Sequence, residues 1–331
     1  MTGKRREAAG RHCSSELLRA VALAQPGFPS LNETGNRISC TSRKDVRTVK
    51  IIQISDTHIS HRGGVTNENA ARAVSFINEL APDFVVHSGD VAILDPDEDR
   101  DRVAAKRLLA GIEAPLRVLP GNHDVGEVGT RFTGNRPVSS DRLAAFRAHF
   151  GDDRFVEIVG DWAVIGLNSE IFESGLPEED EQWAWIERLP EMVGDRPALL
   201  FTHKPVRAPR PELQRPAVSV GAEALPRLEE LLARLDLRGY GSGHLHHYAL
   251  IEREGAPVVS APSTAFLARS SAGADLTGPG LVQLGVVEYV IDDGAVRPFF
   301  RAPVDLVEND LLQIDPLLSA LAAMGVEAPA A

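Results

Sequence analysis

Cysteine is scarce in this chain, and long apolar runs are missing from its sequence. Cys13 and Cys40 are the only cysteines among 331 residues. Two cysteines so close to one end exclude a disulfide framework and a cluster of thiolate metal ligands. No apolar run approaches the roughly 18 residues that a membrane-spanning helix needs. We therefore expect a globular protein of a reducing compartment, placed in the cytoplasm and without a membrane partner.

An excess of basic residues is also missing. The formal net charge is −12, which disfavours a broad electrostatic grip on nucleic acid or on anionic lipid. Hydrophobic residues make up 43% of the chain and charged residues 25%. This composition is ordinary for globular proteins and provides enough apolar material for a sizeable core, so a wholly disordered or fibrous chain is excluded.

Charge separates the first 48 residues from the rest. They hold nine Lys or Arg against four Asp or Glu, and they show no sustained hydrophobic periodicity. We interpret residues 1–48 as a flexible basic tail, or as the product of a translation start placed too far upstream. Residues 49–331 are then expected to form one domain.

From Val49 onward, short apolar and β-branched runs alternate with segments of helical periodicity. Thr66 to Leu80 carries apolar residues at helical spacing, with Thr66 or Asn67 as the expected N-cap. The predicted strands are Val49–Ile54, Phe84–Val86, Leu116–Leu119, Trp162–Leu167, Ala198–Phe201, Leu237–Tyr240, Val258–Val259 and Leu281–Ile291. The other predicted helices are Arg102–Ile112, Asp141–Phe150, Glu178–Val193, Gly221–Leu235 and Leu306–Ala323. This order predicts a layered α/β domain with one mixed sheet or two stacked sheets.

Five of the predicted strands run directly into polar clusters. Ligands of open α/β sheets gather outside the carboxyl ends of the strands, so these clusters are expected to converge on one crevice. The clusters are Ser55-Asp56-Thr57-His58, His87-Ser88-Gly89-Asp90, Gly121-Asn122-His123-Asp124, Thr202-His203-Lys204-Pro205 and Gly243-His244-Leu245-His246.

The residue types in these clusters indicate metal binding. Imidazole and carboxylate groups without sulfur suit Zn, Fe, Mn, Co or Ni. Asp56 and His58 are two residues apart, so in an extended strand both would reach one ion, and His244 and His246 share that spacing. Each motif alone is common at strand ends, but the five together predict a site for two metal ions.

Taken in order, Asp-x-His, Gly-Asp, Gly-Asn-His-Asp, a lone His and Gly-His-x-His resemble the calcineurin-like metallophosphoesterase superfamily. The resemblance implies an α/β (α+β) fold, a four-layer αββα sandwich of two mixed β-sheets flanked by helices. It implies that the first metal is held by Asp56, His58 and His246, and the second by Asn122, His203 and His244. Asp90 would bridge the two ions, and His123 would stand beside the leaving group without binding metal.

The chemistry expected of such a site is phosphoester hydrolysis. Two divalent or trivalent ions (Mn, Fe, Zn or Co) would clamp the phosphoryl group and acidify a bridging water to a hydroxide. His123 would protonate the leaving oxygen, with Asn122 and His123 touching the substrate. Asp124 is expected either to orient an imidazole or to start a helix. We also expect Arg62, Lys204 and Arg207 to help hold the phosphate.

The substrate is predicted from the details of the motifs. In protein Ser/Thr phosphatases the corresponding motif resembles Gly-Asp-x-x-Asp-Arg-Gly, whereas here Gly89-Asp90 is followed by Val-Ala-Ile-Leu. A Ser/Thr phosphatase is therefore disfavoured. Two features resemble the bacterial class III cyclic-nucleotide and glycerophosphodiester phosphodiesterase group. They are Thr66-Asn67 at the start of the first helix and the segment Ala-Pro-Asp-Phe-Val-Val before Ser88-Gly89-Asp90. We therefore predict a phosphodiesterase for 3′,5′-cyclic nucleotides or other small phosphodiesters.

Two alternatives stay open. One is a phosphomonoesterase or broad-specificity phosphohydrolase with the same site. Another, of a different class, is a non-catalytic scaffold that keeps the fold. A homo-oligomer is compatible with either.

Overall fold

Two mixed β-sheets form the centre of the fold in the computed structural model, which describes residues 48–93, 95–128, 137–268 and 281–310. Numbered in chain order, the strands are β1 (Val49–Ile54), β2 (Phe84–His87), β3 (Leu116–Val118), β4 (Phe155–Val159), β5 (Trp162–Gly166), β6 (Ala198–Phe201), β7 (Leu237–Ser242), β8 (Ala249–Arg253), β9 (Ala256–Ser260), β10 (Val286–Asp292) and β11 (Ala295–Arg301). The first sheet has the order β11-β10-β1-β2-β3 and the second the order β4-β5-β6-β7-β9-β8.

Parallel pairing brings the loops that carry the predicted motifs to matching strand ends. In the first sheet β1 pairs with β2 and β2 with β3 in parallel. In the second sheet β5, β6, β7 and β9 also run parallel in that order. Antiparallel strands flank both blocks, namely β10 and β11 in the first sheet and β4 and β8 in the second. Both sheets are therefore mixed.

Helices cover the outer faces of both sheets. They are α1 (Val65–Leu80), α2 (Asp99–Leu109), α3 (Asn122–Val125), α4 (Ser140–Phe150), α5 (Pro177–Glu187), α6 (Leu189–Val193) and α7 (Leu225–Leu232), with 3-10 turns at Ser169–Ile171 and Pro211–Leu213. Apolar residues of α1, α2 and α4 pack on the first sheet, and those of α5, α6 and α7 on the second. A third apolar cluster joins the two sheets. The predicted four-layer αββα sandwich is thus confirmed. No helix within the described ranges combines the length and apolarity required to cross a membrane.

Several predicted boundaries are wrong. The segment Glu178–Val193 forms two helices, α5 and α6, because Pro190 lacks the amide hydrogen that would continue the first one. The last long strand begins at Val286, and Leu281 forms only an isolated bridge. Strands β4, β8 and β11 escape the sequence prediction because their solvent-facing positions dilute the apolar signal.

The predicted cap of the first helix is also wrong. Helix α1 starts at Val65, so Thr66 and Asn67 both lie inside its first turn. Asn67 instead anchors the preceding loop, since its side-chain oxygen accepts from the amide of Ser60 at 3.0 Å and its nitrogen donates to the Ser60 carbonyl at 2.9 Å.

Two sequence predictions fall largely beyond the described ranges. The basic tail, residues 1–48, lies outside them except for its last residue. Of the helix expected at 306–323, only residues 306–310 are described, and they are not helical.

A buried amide side chain ties the two sheets together below the motif loops. Gln53 on β1 donates to the Ser88 hydroxyl at 2.8 Å and to the Ser242 carbonyl of β7 at 3.1 Å. Its oxygen accepts from the hydroxyl of Tyr289 on β10 at 2.7 Å. Gln53 and Tyr289 are fully buried, so each hydrogen bond satisfies a group that water cannot reach.

We predict that Tyr289→Phe destabilises the protein by about 1–3 kcal/mol, because it leaves the Gln53 oxygen buried without its donor. Urea unfolding of both proteins measures the difference. Tyr240→Phe, at a half-buried tyrosine of β7, is the matched control and should cost much less. Equal losses in the two variants would contradict the role assigned to Gln53.

Candidate metal centre

The loops after β1, β2, β3, β6 and β7 converge, and they bring the predicted ligands together in two groups. One group contains Asp56, His58, Asp90 and His246, and the other contains Asp90, His203 and His244. Within each group the ligand atoms lie within 4.8 Å of one another. Because Asp90 belongs to both groups, the two candidate sites share a carboxylate.

The backbone at these residues does not follow the extended path that their spacing suggested. Asp56 and His58 have φ angles of 53° and 43°, and His244 and His246 have 69° and 54°. Asp90 also lies in the left-handed region, with φ 52°. Side chains two residues apart thus converge through sharp turns rather than through the alternation of a strand. Left-handed backbone costs roughly 1–3 kcal/mol at a non-glycine residue, and such strain concentrates at functional sites.

In the first group, each imidazole is oriented by a backbone carbonyl. Nδ1 of His58 bonds to the Ile93 carbonyl and Nδ1 of His246 to the Phe266 carbonyl, both at 3.1 Å. The two Nε2 atoms face each other at 3.1 Å, and Nε2 of His246 lies 3.3 Å from Oδ1 of Asp56. The two Nε2 atoms and the carboxylate therefore point at the same small volume.

The second group is built in the same way. Nδ1 of His203 bonds to the Ser88 carbonyl at 2.8 Å, which turns Nε2 toward Oδ2 of Asp90 at 3.3 Å. The side-chain oxygen of Asn122 lies 3.2 Å from the same Nε2. His244 completes the group, with its ring 5.1 Å from that of His203.

This donor set fits a pair of metal ions. A ring nitrogen that donates to a carbonyl carries the hydrogen, so the opposite nitrogen presents a lone pair. The facing lone pairs of His58 and His246 repel each other unless a cation or a proton lies between them. Histidine, carboxylate and amide oxygen ligands suit Mn, Fe, Zn or Co, and carbonyl acceptors behind the rings are typical of metal-bound histidines.

Without metal, protons provide part of the positive charge that the centre requires. Burial lowers the pKa of His203, but Asp90 beside it outweighs burial and raises that pKa to about 10. Burial dominates at His58 and lowers its pKa to about 3. Burial raises the pKa of Asp56, yet His246 and His203 hold it well below its usual range. The two buried carboxylates thus stay ionised because neighbouring imidazoles carry protons.

Comparison with known proteins agrees with this geometry. The profile of the calcineurin-like phosphoesterase family matches residues 49–248, which contain both ligand groups. The chain belongs to the calcineurin-like phosphoesterase family. Membership establishes a metallophosphoesterase, a hydrolase that depends on bound metal ions, and the ligand groups are the part of this chain that would hold them.

Curated relatives of the family match most of the domain at modest identity. The chain is 27% identical over 231 residues to the glycerophosphodiester phosphodiesterase GpdQ of Enterobacter lignolyticus, covering 65% of this chain and 77% of the relative. It is 28% identical over 232 residues to the 3′,5′-cyclic adenosine monophosphate phosphodiesterase CpdA of Pseudomonas aeruginosa, covering 66% and 76%. A dimetal phosphatase from Danio rerio has the same fold, with a TM-score of 0.52 at 13% identity over 77% of this chain and 96% of that one.

His123 stands at the open side of the centre. Its amide donates to Oδ1 of Asp90 at 2.8 Å, and its Nε2 lies 3.9 Å from Oδ2 of the same carboxylate. The side chain is 18% exposed, whereas Asp90 is 2% exposed. Nδ1 of His123 has no hydrogen-bond partner among the described residues. Its imidazole is thus held beside both groups, with a buried Nδ1 that no described residue satisfies.

Asp124 serves the backbone rather than an imidazole. Its carboxylate accepts from the amides of Val91, Ala92 and Gly121 at 2.9–3.1 Å. Burial, with Asp90 nearby, raises its pKa to about 6. This arrangement corresponds to the helix-starting alternative, because Asp124 is the third residue of α3 and caps it. By bonding both loops, Asp124 fixes the distance between Asp90 and α3.

The three basic residues expected to hold phosphate have other surroundings. Lys204 is buried and paired with two glutamates, which corrects its assignment as a phosphate ligand. Arg207 is 47% exposed and forms an ion pair with Glu229 of α7, beside a groove of about 440 Å³ that none of the predicted ligands lines. Arg62 lies on the exposed loop before α1.

Two neighbours of the centre have no signal in the sequence. The Ser263 hydroxyl donates to the carbonyl of Asp56 at 2.8 Å. The Phe266 ring lies 4.7 Å from that of His58 and 4.8 Å from that of His246. Both belong to the segment after β9, which only the tertiary fold brings beneath the first ligand group.

We predict that Gly243→Ala abolishes metal binding by the first group. A Cβ atom there would lie 2.0 Å from Oγ of Ser55 and 2.7 Å from Oδ2 of Asp56, so the carboxylate must move. Elemental analysis after dialysis against Mn²⁺ measures the loss. Gly255→Ala is the control, since its Cβ meets nothing within 4 Å and only its positive φ is strained. Full metal content in Gly243→Ala would refute the assigned packing.

We also predict that the metal-free protein loses stability as pH rises from 6.5 toward 9. The pKa of His203 is about 10 in the folded state and about 6.5 when unfolded, so its contribution is complete below pH 6.5 and declines above it. For one such group the free energy of unfolding falls by up to about 1.4 kcal/mol per pH unit. Urea unfolding in chelator at pH 6.5, 7.5 and 8.5 measures it.

His203→Asn should flatten this dependence. Burial lowers the pKa of His87 to about 4, so the control His87→Asn should leave the dependence above pH 6.5 unchanged. If the free energy of unfolding of the wild-type protein did not change with pH above 6.5, the positive charge assigned to His203 would be contradicted.

Proposed function

We propose that this protein is a phosphodiesterase that works through a two-metal centre, with 3′,5′-cyclic nucleotides and other small phosphodiesters as its substrates. The observation that carries the proposal is the shared carboxylate of Asp90, which belongs to both ligand groups, with the partly exposed ring of His123 beside it. The first ion would be held by Asp56, His58 and His246 and the second by Asn122, His203 and His244.

The side chains around the centre have separate tasks in hydrolysis. When bound, the two ions would supply charge stabilisation of the phosphoryl group and an activated water. His123 donates a proton to the leaving oxygen, a task that suits its partly exposed ring and its anchored backbone. Asp90 holds His123 in place through the amide hydrogen bond and keeps it beside the reacting group. Asp124 maintains this geometry through the backbone of both loops.

The choice of diester substrates is supported by the relatives, whose names describe them as phosphodiesterases of glycerophosphodiesters and of cyclic adenosine monophosphate. Within the site, the partly exposed imidazole of His123 supplies one proton donor for the leaving oxygen. A cytoplasmic location, the absence of nucleic-acid partners and a homo-oligomer stay predictions.

Hydrolysis of bis(p-nitrophenyl) phosphate and p-nitrophenyl phosphate by Mn²⁺-loaded protein tests the substrate class. We expect the diester to be preferred, followed by activity on cyclic AMP, cyclic GMP or glycerophosphodiesters. Preference for the monoester would replace the proposal with a phosphomonoesterase or broad-specificity phosphohydrolase. Inactivity on every ester, with no metal bound, would instead favour the non-catalytic scaffold.

We predict that His123→Ala lowers kcat about 10²–10⁴-fold on a cyclic nucleotide while metal content is retained. The alkoxide that leaves from a cyclic nucleotide needs a proton, whereas p-nitrophenolate leaves readily without one. The loss on bis(p-nitrophenyl) phosphate should therefore be much smaller. Equal losses on both substrates would show that His123 does not act as the acid.

A further inference from the structure

Three charged side chains are buried next to His203 and are not used by the proposed mechanism. Nζ of Lys204 lies 2.7 Å from Oε2 of Glu127 and 2.8 Å from Oε2 of Glu170. The exposed fraction of each side chain is 2% or less. This buried triad, Lys204 with Glu127 and Glu170, carries a formal charge of −1.

Stability alone is a weak reason for such a triad. Desolvation of buried ions offsets most of their attraction, and apolar side chains of similar volume often serve a fold equally well. A buried charge network does impose one fixed geometry on the segments that supply it. The question is therefore which segments the triad joins.

The triad joins the loops of the second ligand group. Lys204 directly follows His203, and Glu127 lies two residues beyond the end of α3, whose first residues are Asn122 and His123. Glu170 belongs to the 3-10 turn Ser169–Ile171, which supplies none of the predicted ligands.

The backbone of Lys204 is held on both sides. Its amide donates to the Ser169 hydroxyl at 2.9 Å, and its carbonyl accepts from the Thr202 hydroxyl at 2.6 Å. The ammonium group is therefore a fixed point, and Glu127 ties the α3 loop to it.

We propose that Lys204 and Glu127 are positioning residues for the second metal ion. Their ion pair holds the α3 loop against the His203 loop, and so keeps the Asn122 oxygen at 3.2 Å from Nε2 of His203. This inference rests on the proposed two-metal centre. The ligands that belong only to the first group, Asp56, His58 and His246, lie on other loops, so the ion pair acts more strongly on the second ion than on the first.

Two isosteric variants separate positioning from electrostatics. Glu127→Gln and Glu170→Gln remove the same charge from the same buried ammonium group. Glu170 is one of the carboxylates whose charge acts on His203, so a purely electrostatic effect would be larger in Glu170→Gln. Positioning of α3 predicts the opposite order, because only Glu127 is connected to Asn122.

The experiment measures Mn²⁺ binding by equilibrium dialysis and calorimetry on the full chain, without any assay of activity. We expect wild type to bind two ions, and Glu127→Gln to bind one of them about tenfold or more weakly with the other much less affected. Glu170→Gln should weaken that ion less. Lys204→Met should match or exceed Glu127→Gln, and if it does not fold, the two glutamine variants still decide the order.

Arg147→Met is the control for a general loss of stability, since it breaks an ion pair with buried Asp153 outside the ligand groups, and it should bind both ions normally. Equal weakening in Glu127→Gln and Glu170→Gln, or two normal ions in Glu127→Gln, would overturn the positioning role while leaving the two-metal centre in place. Fewer than two ions in wild type would overturn the centre itself, and the positioning role with it.

Discussion

Two ionised carboxylates in a dry interior require positive charge, and the centre of this protein is arranged around that requirement. Asp56 and Asp90 are both buried, and imidazole rings approach them from several loops. Burial alone would raise the pKa values of both carboxylates, but the neighbouring histidines hold them low. Metal ions meet the same requirement, so the side chains that carry protons in the metal-free protein are the ones expected to bind metal.

The sandwich supplies the positions that this charge balance needs. Parallel strands in both sheets end at one edge, and the buried Gln53 connects β1 to β7 and β10 directly below it. The turns that follow are strained at Asp56, His58 and Asp90, which all adopt left-handed backbone. Such strain persists because backbone hydrogen bonds run between the loops, for example from the amide of Asp56 to the carbonyl of Gly89 at 3.0 Å. Rigid sheets thus stabilise an unfavourable local geometry that serves the site.

Much of this arrangement could be predicted from the sequence, because chemistry-bearing residue types follow apolar strands at five places. The layers and the family agree with that prediction, and the side chains predicted as ligands lie close together. Local geometry could not be predicted. The spacing of two residues suggested an extended strand at Asp56 and His58, yet both lie in the loop beyond the end of β1 and have left-handed backbone. Lys204 follows a predicted ligand and carries positive charge, yet its ammonium points into the protein, where Glu127 and Glu170 lie 77 and 34 positions earlier in the chain.

By itself the sequence determined the alternation of strands and helices, the edge at which the motifs meet and the residue types that face one another there, because hydrophobic periodicity and residue chemistry are local properties. The four αββα layers were expected only from the resemblance to the family. Tertiary structure alone decided how each group is oriented. The carbonyls behind His58 and His246, the segment with Ser263 and Phe266, and the partners of Lys204 come from distant parts of the chain. Contacts between residues so far apart in the chain produce no periodic pattern in the sequence. Only the packed fold therefore shows which nitrogen of an imidazole is free and which charge is already paired.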